Sequence, residues 1–512
     1  MRKLIVGGAL AAALLPTFAL AQEPEYGGVA ASVAMANAGA DAVASAVDRT
    51  AGKPRVFVLT DIGNEPDDQM SLVRLLLYSN DLDIEGLVAT TSTWQREKTN
   101  PQTIRALVAA YAQVRGNLML HAKGWPEVAQ LDAVIAEGPM RYGMAGLPAA
   151  GQLSSGARQL IHAVDRADAR PLHVSVWGGA NTLAEALREV KASRSPQALA
   201  AFVAKMQVLS ISDQDDAGPW IRREFPALNY VVKPSPPDGE EYASATWTGI
   251  SGDRFYRNGD GADFTTVTNE WLDANIRKGP LGAHYPKYLF IMEGDTPSFL
   301  SLLPNGLESW RSPAWGGWGG RYVYRQPYGE AHKIWTQGGD ASPRVTSADT
   351  VKGADGRTYI SDQATVWRWR EVMQHDFAAR MGWSYLPAAQ ANHPPVATIA
   401  GQPDGVLELT AKVGQPLVLD ASASKDPDGG KLTYRWLHYA EAGFSTGTLA
   451  DVKIDGAETA RATITPTATC RPQWLPGGAC PAEGLAHVIL AVTDDGTPSL
   501  TRYRRVILRV TK

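Results

Sequence analysis

The stretch from Val56 to Met70 constrains this chain more than any other. Val56, Phe57, Val58 and Leu59 run as an apolar strand into Asp61, Glu65, Asp67 and Asp68, and Leu72, Val73, Leu75 and Leu76 continue in the pattern of a helix. Carboxylates crowded at a strand end repel one another. A hard cation such as Ca2+ or Mg2+, which takes oxygen ligands, relieves that repulsion. Acids also suit the first turn of a helix, where they meet the positive end of the macrodipole and cap free N–H groups. Capping accounts for Asp67 and Asp68 but less easily for Asp61 and Glu65. A metal or catalytic cluster is therefore the favoured reading, since strand ends in α/β sheets carry sites.

The beginning of the chain reads as a secretory signal over residues 1–21. Arg2 and Lys3 precede an apolar core from Leu4 to Leu15, and Ala19 and Ala21 form a small-x-small cleavage site before Gln22. The core is too short for a stable membrane anchor, and the expected location is the periplasm or the exterior. The formal net charge is −4, and loss of Arg2 and Lys3 makes it more negative. That balance argues against nucleic acid or an anionic membrane as partner. The only cysteines, Cys470 and Cys480, are expected to form one short disulfide loop that also holds Pro472 and Pro476.

Two domains of different kind are expected. Thirteen of the fifteen tryptophans lie between Trp94 and Trp383, with only Trp436 and Trp474 beyond. Residues 22–52 are an Ala-rich lead-in, residues 53–390 a first domain, residues 391–396 a linker around Pro394 and Pro395, and residues 397–512 a second domain.

In the first domain strands and helices alternate. Strands are predicted at 55–60, 84–91, 172–177, 206–211 and 288–292, and helices at 69–79, 102–114 and 182–191. This is an α/β pattern, a mostly parallel, Rossmann-like sheet with helices on both faces. Right-handed crossovers bring the strand ends to one edge, so Asp61, Asp67, Asp68, Ser92, Thr93, Asn181, Asp213 and Asp295 are predicted to converge. The second domain shows short alternating runs, such as 407–410, 432–436 and 487–493, between Gly, Pro and Asp turns, which is the pattern of an antiparallel sandwich. The stretch Asp420 to Trp436 resembles the polycystic-kidney-disease and cadherin-like Ig modules attached to many secreted enzymes. Asp426, Asp428, Asp494 and Asp495 are either turn formers or Ca2+ ligands, and turns are favoured.

Residues 53–390 resemble the nucleoside hydrolase superfamily, and more closely the secreted nucleoside-hydrolase-like domain of proteins described as cellulose-binding. The superfamily carries Asp-Thr-Asp-Pro-Gly-x-Asp-Asp after its first strand. Here Thr60, Asp61, Gly63, Asp67 and Asp68 match, Leu59 and Ile62 stand for the first Asp and the Pro, and two residues are inserted before the acid pair. The Gly-Pro-Leu-Thr-Asn turn is similar to Gly178–Asn181, the Glu-Phe-Asn segment to Glu224, Phe225 and Asn229, and the late calcium-binding Asp to Asp295.

The resemblance implies Ca2+ held by Asp61, Asp68 and Asp295, with Asp61 or Asp67 as the base that activates water against an anomeric carbon. It also implies that Glu224 and Asn229 hold sugar hydroxyls, and that Glu65, Ser92, Thr93, Trp94 and Asn181 contribute to the pocket. A homo-oligomer is a further implication. Where many purine-preferring members have a His that helps the base leave, this chain has Gly294, so the leaving-group acid or the leaving group differs; His284 and His332 lie in loops and are open candidates for an acid. The tryptophans among the glycines at 312–321, Trp315 and Trp318, look like an exposed binding loop suited to stacking on sugars.

The expected function is an exported, Ca2+-dependent glycoside hydrolase acting on a cell-wall-derived carbohydrate. The rivals are a carbohydrate-binding (cellulose-binding) protein without turnover and an extracellular nucleoside N-ribohydrolase.

Overall fold

A computed structural model describes residues 52–236, 240–339, 346–442, 449–471 and 479–512. The expected signal segment, nearly all of the lead-in, and Pro472 and Pro476 lie outside the described residues. Strand β1 (Arg55–Thr60) is buried along its whole length, as a central parallel strand must be. Its side chains alternate between two cores. Val56 and Val58 belong to one, with Leu72 and Ile104, while Phe57 and Leu59 belong to the other, with Leu160 and Leu183.

β1 is followed by helix α1 (Pro66–Leu77), β2 (Asp83–Ala89), α2 (Pro101–Leu118) and β3 (Ile135–Glu137). Then come α3 (Ser155–Asp165), β4 (Leu172–Val176), α4 (Asn181–Ser193), β5 (Met206–Ser210), α5 (Ala217–Glu224) and β6 (Asn229–Val231). β7 (Val323–Arg325) and β8 (Ile334–Thr336) complete an eight-stranded sheet of order β3-β2-β1-β4-β5-β6-β8-β7, parallel except for the β7–β8 pair. The order reverses direction at β1, because β2 and β4 flank it on opposite sides. The crevice between β1 and β4, at their carboxyl ends, is where such a sheet opens for a ligand.

The segment 288–292, predicted as a strand, is not one. The sheet position beside β6 is taken by β8, and Leu289 and Phe290 face solvent. A hairpin, β9 (Asp349–Lys352) and β10 (Thr358–Ser361), precedes helix α6 (Arg370–Trp383).

The remaining strands are β11 (Leu407–Lys412), β12 (Leu417–Asp420), β13 (Leu432–His438), β14 (Asp451–Asp455), β15 (Arg461–Ala468), β16 (Glu483–Asp494) and β17 (Thr501–Thr511). They form sheets of order β11-β17-β16-β13 and β12-β15-β14 around Trp436, Ile464, Leu490 and Val506. The predicted sandwich is present, with one parallel pair, β11 and β17, among antiparallel ones. Cys470 and Cys480 are disulfide-bonded, with Cα atoms 5.3 Å apart.

The sandwich is not free of the α/β unit. Val488 and Leu490 of β16 point into the sandwich core, while Ile489 between them packs into the α/β core with Tyr439 and Tyr503. Arg505 donates to the carbonyls of Leu307 (2.6 Å) and Gly316 (2.9 Å), and Arg502 pairs with Asp376 at 2.6 Å. The stretch 391–396 is bonded to the sandwich through Asn392 with Asp494, His393 with Asp428 and Val396 with Lys425. Among the described residues no helix is long and apolar enough to cross a membrane.

Candidate functional site: a carboxylate cleft at the sheet edge

The loop after β1 folds back so that α1 starts at Pro66, a residue suited to a first helical position. Asp67 and Asp68 stand in the first turn of α1, and Glu65 caps it without a side-chain hydrogen bond. The helix-end reading of these acids therefore holds together with the cluster reading, because the same turn faces the cleft. Thr60 Oγ donates to Asp68 and accepts from the Ile62 amide at 3.1 Å, which locks the turn. Asp295 arrives from the other side, after Glu293 and Gly294.

Carboxylate oxygens of Asp67, Asp68 and Asp295 lie within 4.8 Å of one another. Asp61 is adjacent, hydrogen-bonded with Ser92 and Asp68, but it is not one of that trio. Asp61, Asp68 and Asp295 are buried and Asp67 is partly so. Burial pushes all four carboxyls up. Asp67 goes to about 7, helped by the charges of Glu65 and Asp61, and Asp68 and Asp295 are held well above the carboxylate range by burial and the neighbouring aspartates. Asp61 is raised by burial against the opposing bond from Ser92.

The donor set fits a hard divalent cation. Among the described residues, Asp295 Oδ2 is buried with no hydrogen-bond partner, and the cleft is lined by no Lys or Arg that would neutralise the acids. Two glycines make room for the cluster. A Cβ on Gly178 would stand 2.7 Å from Asp61 Oδ1, and one on Gly294 would stand 2.7 Å from Asp67 Oδ2 and 3.2 Å from Trp247. A side chain at the position of the base-assisting His would thus displace the Asp67 carboxylate and press on the indole.

The cleft above the carboxylates has a volume of about 240 Å³. Six of the expected residues line it: Asp61, Glu65, Asp67, Asp68, Trp94 and Asp295. Three more support it from behind. Ser92 Oγ accepts from the amides of Trp94 (3.0 Å) and Gln95 (3.1 Å). Thr93 Oγ accepts from Arg96 at 3.0 Å. Asn181 is fully buried, accepting from Thr90 (2.9 Å) and donating to Thr91 (2.9 Å).

Four expected residues lie elsewhere. Glu224 ends α5 at the surface, paired with Lys191 at 2.6 Å. Asn229 opens β6 and bonds Gln207 at the amino edge of the sheet, away from the cleft. Both were matched on a short run that the topology carries to the wrong edge for sugar contact. Trp318 is buried in the α/β core, and Trp315 packs edge-on to His487, with centroids 5.6 Å apart, under the sandwich. Their glycines permit close packing: a Cβ on Gly316, where φ is +69°, would stand 2.2 Å from Tyr439 Oη. Asp213 is committed to Arg222 by two bonds of 2.8 and 2.9 Å. His284 and His332 do not line the cleft.

The sequence reading missed the opposite wall. Tyr242, Trp247, Phe255, Tyr256, Phe290 and Ile291 line it, with Tyr242 and Trp247 edge-to-face at 6.3 Å. These residues sit in short helices and a loop, and only the adjacent pairs Phe255–Tyr256 and Leu289–Phe290 in polar surroundings hint at them. Gln95, which donates to the Asp61 carbonyl at 3.0 Å, was also missed.

Residues 55–322 match the family described as "Cellulose-binding Sde182, nucleoside hydrolase-like domain", and residues 416–510 match "Cellulose-binding protein Sde0182, C-terminal domain". A solved structure of a nucleoside hydrolase-related hypothetical protein from Saccharophagus degradans, described as associated with carbohydrate metabolism, is 32% identical. The alignment covers 90% of this chain and 100% of that one, with a TM-score of 0.73. The PKD domain of the KIAA 1837 protein aligns at 22% identity over 23% of this chain and 89% of its own, with a TM-score of 0.14. The type III effector XopQ, complexed with adenosine diphosphate ribose, aligns at 12% identity over 69% and 98%, with a TM-score of 0.30. No curated protein matches. With the first family model matching more than half of the chain and a relative aligned over its full length, the chain belongs to the family described as Cellulose-binding Sde182, nucleoside hydrolase-like.

Proposed function

We propose that the protein is an exported hydrolase that cleaves a glycosidic bond in a carbohydrate with the help of Ca2+. The observation that carries this reading is the trio Asp67, Asp68 and Asp295, within 4.8 Å, on the floor of a cleft that, among the described residues, no basic side chain lines. Buried carboxylates left without cationic partners are costly, and a site for sugar binding alone has no need of them. Carbohydrate as the substrate rests on the family's cellulose-binding description and on the relative's association with carbohydrate metabolism. Export rests on the character of residues 1–21 and on the disulfide.

A Ca2+ ion held by the trio would supply Lewis acidity toward water and toward a sugar hydroxyl. Asp61, adjacent to the trio and oriented by Ser92, takes a proton from the attacking water. The anomeric centre develops oxocarbenium character, and the surrounding carboxylates favour that positive charge. Tyr242 and Trp247 keep bulk water from the far side. With Gly294 in place of the His no imidazole protonates the leaving group, and a sugar alkoxide, more basic than a purine anion, needs that proton from another acid of the cleft, for which Glu65, raised by burial, is at hand.

The test is sugar release from cello-oligosaccharides by chelator-treated protein with and without added Ca2+, beside Asp61→Asn. Ca2+-dependent release that falls by about 100-fold or more in the variant supports the reading. Ca2+ uptake without release of sugar, or of base from inosine or uridine, would move the assignment to carbohydrate binding without turnover. That second reading is favoured by one observation, Gly294 in place of the His that would protonate a leaving group.

A further inference from the structure

A cleft of about 240 Å³ is smaller than the roughly 300–1,000 Å³ of pockets that enclose a drug-sized ligand. Any longer ligand must continue over the rim, and the rim is not neutral ground. Trp94 is 49% exposed, Phe255 48% and Phe290 51%, and Leu289 beside them is 72% exposed. A folded protein seldom leaves several large apolar side chains side by side in water unless something covers them.

The rings are also pre-set. Phe255 meets Phe290 edge-on with centroids 5.4 Å apart, and it meets Tyr256 at 5.1 Å. Neither phenylalanine has to be ordered when a ligand arrives, which lowers the entropic cost of binding. Flat aromatic faces with water on one side suit the apolar C–H faces of pyranose rings.

Charge narrows the choice further. Among the described residues, five carboxylates, Asp61, Glu65, Asp67, Asp68 and Asp295, line the cleft, and no Lys or Arg does. Of the two arginines that flank Phe255 and Tyr256, Arg254 is turned to the Tyr288 hydroxyl at 3.4 Å and Arg257 does not line the cleft. Even with one divalent cation bound the cleft stays acidic, so a chain of uronic acids is repelled.

We propose that Phe255 and Phe290, on the rim of the cleft that Trp94 also lines, form a stacking subsite for a second sugar ring, so that the site takes an extended glycan without acidic groups. The proposal rests on the reading of the cleft as a carbohydrate site. It adds the length and the charge class of the ligand.

The experiment is calorimetric titration of cellobiose, cellohexaose and hexagalacturonic acid into the full-length, Ca2+-loaded protein in the Asp61→Asn background, where the ligand survives. Cellohexaose is expected to bind more tightly than cellobiose. Phe290→Ala and Phe255→Ala should each shrink that ratio by about 3- to 10-fold, with Ca2+ uptake unchanged as the control for an intact floor. Hexagalacturonic acid should bind at least about 10-fold more weakly than cellohexaose. Equal affinity for the two cellulose fragments, a ratio untouched by either Phe variant, or tight binding of the acidic hexamer would each overturn the subsite. Failure of the hydrolase reading looks different: the length dependence persists while the unmodified protein releases no sugar.

Discussion

Arg74 and Glu293 meet behind the carboxylate cluster, Nε to Oε2 at 2.5 Å, with both side chains fully buried. Arg74 lies about two turns along α1 from Asp67 and Asp68, and Glu293 immediately precedes Gly294 and Asp295. Glu293 holds a left-handed φ of +57°, a conformation that persists in a non-glycine residue only when its surroundings enforce it. Tyr285 donates to the same carboxylate at 2.5 Å, and Phe377 lies 3.9 Å beneath the guanidinium. One helix therefore supplies two of the clustered acids directly and fixes the third through this pair.

Arg74→Met should cost about 3–5 kcal/mol, because it leaves Glu293 buried without its partner. Urea unfolding measures the loss. Where the variant stays folded, Ca2+ affinity should fall as well, since Asp295 is no longer held against α1. A variant as stable as the parent would show that the pair does not clamp the loop.

Protons and cations compete for the cluster. Asp67 is pushed up to about 7 from an ordinary 3.8 by burial and by the charges of Glu65 and Asp61. Without a cation, the folded state binds this proton more strongly than the unfolded chain does. The stability it contributes is present below pH 3.8 and is lost as pH rises through 7. A cation needs the ionised form, so Ca2+ affinity should climb as pH rises from 5.5 through about 7. Calorimetry across that range decides, and a flat profile would place the cation elsewhere.

His173, near the start of β4, acts in the opposite sense. Burial, with the charge of Arg55, lowers it from 6.5 to about 4. The unfolded chain binds its proton first, so the stability from keeping this ring neutral is present above pH 6.5 and is lost as pH falls toward 4, at most about 3 kcal/mol. His173→Asn should flatten the fall in urea midpoint between pH 6.5 and 4.5 relative to the parent.

Gly294→Ala should weaken Ca2+ binding by about 10-fold, in the range of perturbations next to a metal site. The added Cβ would stand 2.7 Å from Asp67 Oδ2 and 3.2 Å from Trp247, so the carboxylate must turn away. Unchanged affinity would show that Asp67 has room to yield without leaving the site.

Much of the site was legible because its signal is local. β1, the acid run and α1 occupy one continuous stretch in which apolar period and charge change together, and the sheet topology then fixes where that stretch points. The rim aromatics were not legible. Residues 240–256 form short helices without a period, and what Phe255 faces depends on Phe290, distant in sequence. Trp315 and Trp318 misled for the converse reason. Glycines around a tryptophan look like a loop in water, but here they admit the Tyr439 hydroxyl and the Arg505 guanidinium. The partner that explains them lies more than a hundred residues away. The match of Glu224 and Asn229 failed because three residues in order carry no information about which edge of a sheet they reach.

β16 sends Val488 and Leu490 to one core and Ile489 to the other. A strand that serves two cores cannot be exchanged as a cassette. Grafted onto another protein, this sandwich would carry a sticky flank around Ile489, Tyr439 and Tyr503, and the α/β unit left behind would show the matching scar at Trp369. Genetic shuffling, which readily moves self-contained beads along secreted chains, is thereby blocked at this joint, and the two halves are bound to diverge as a pair.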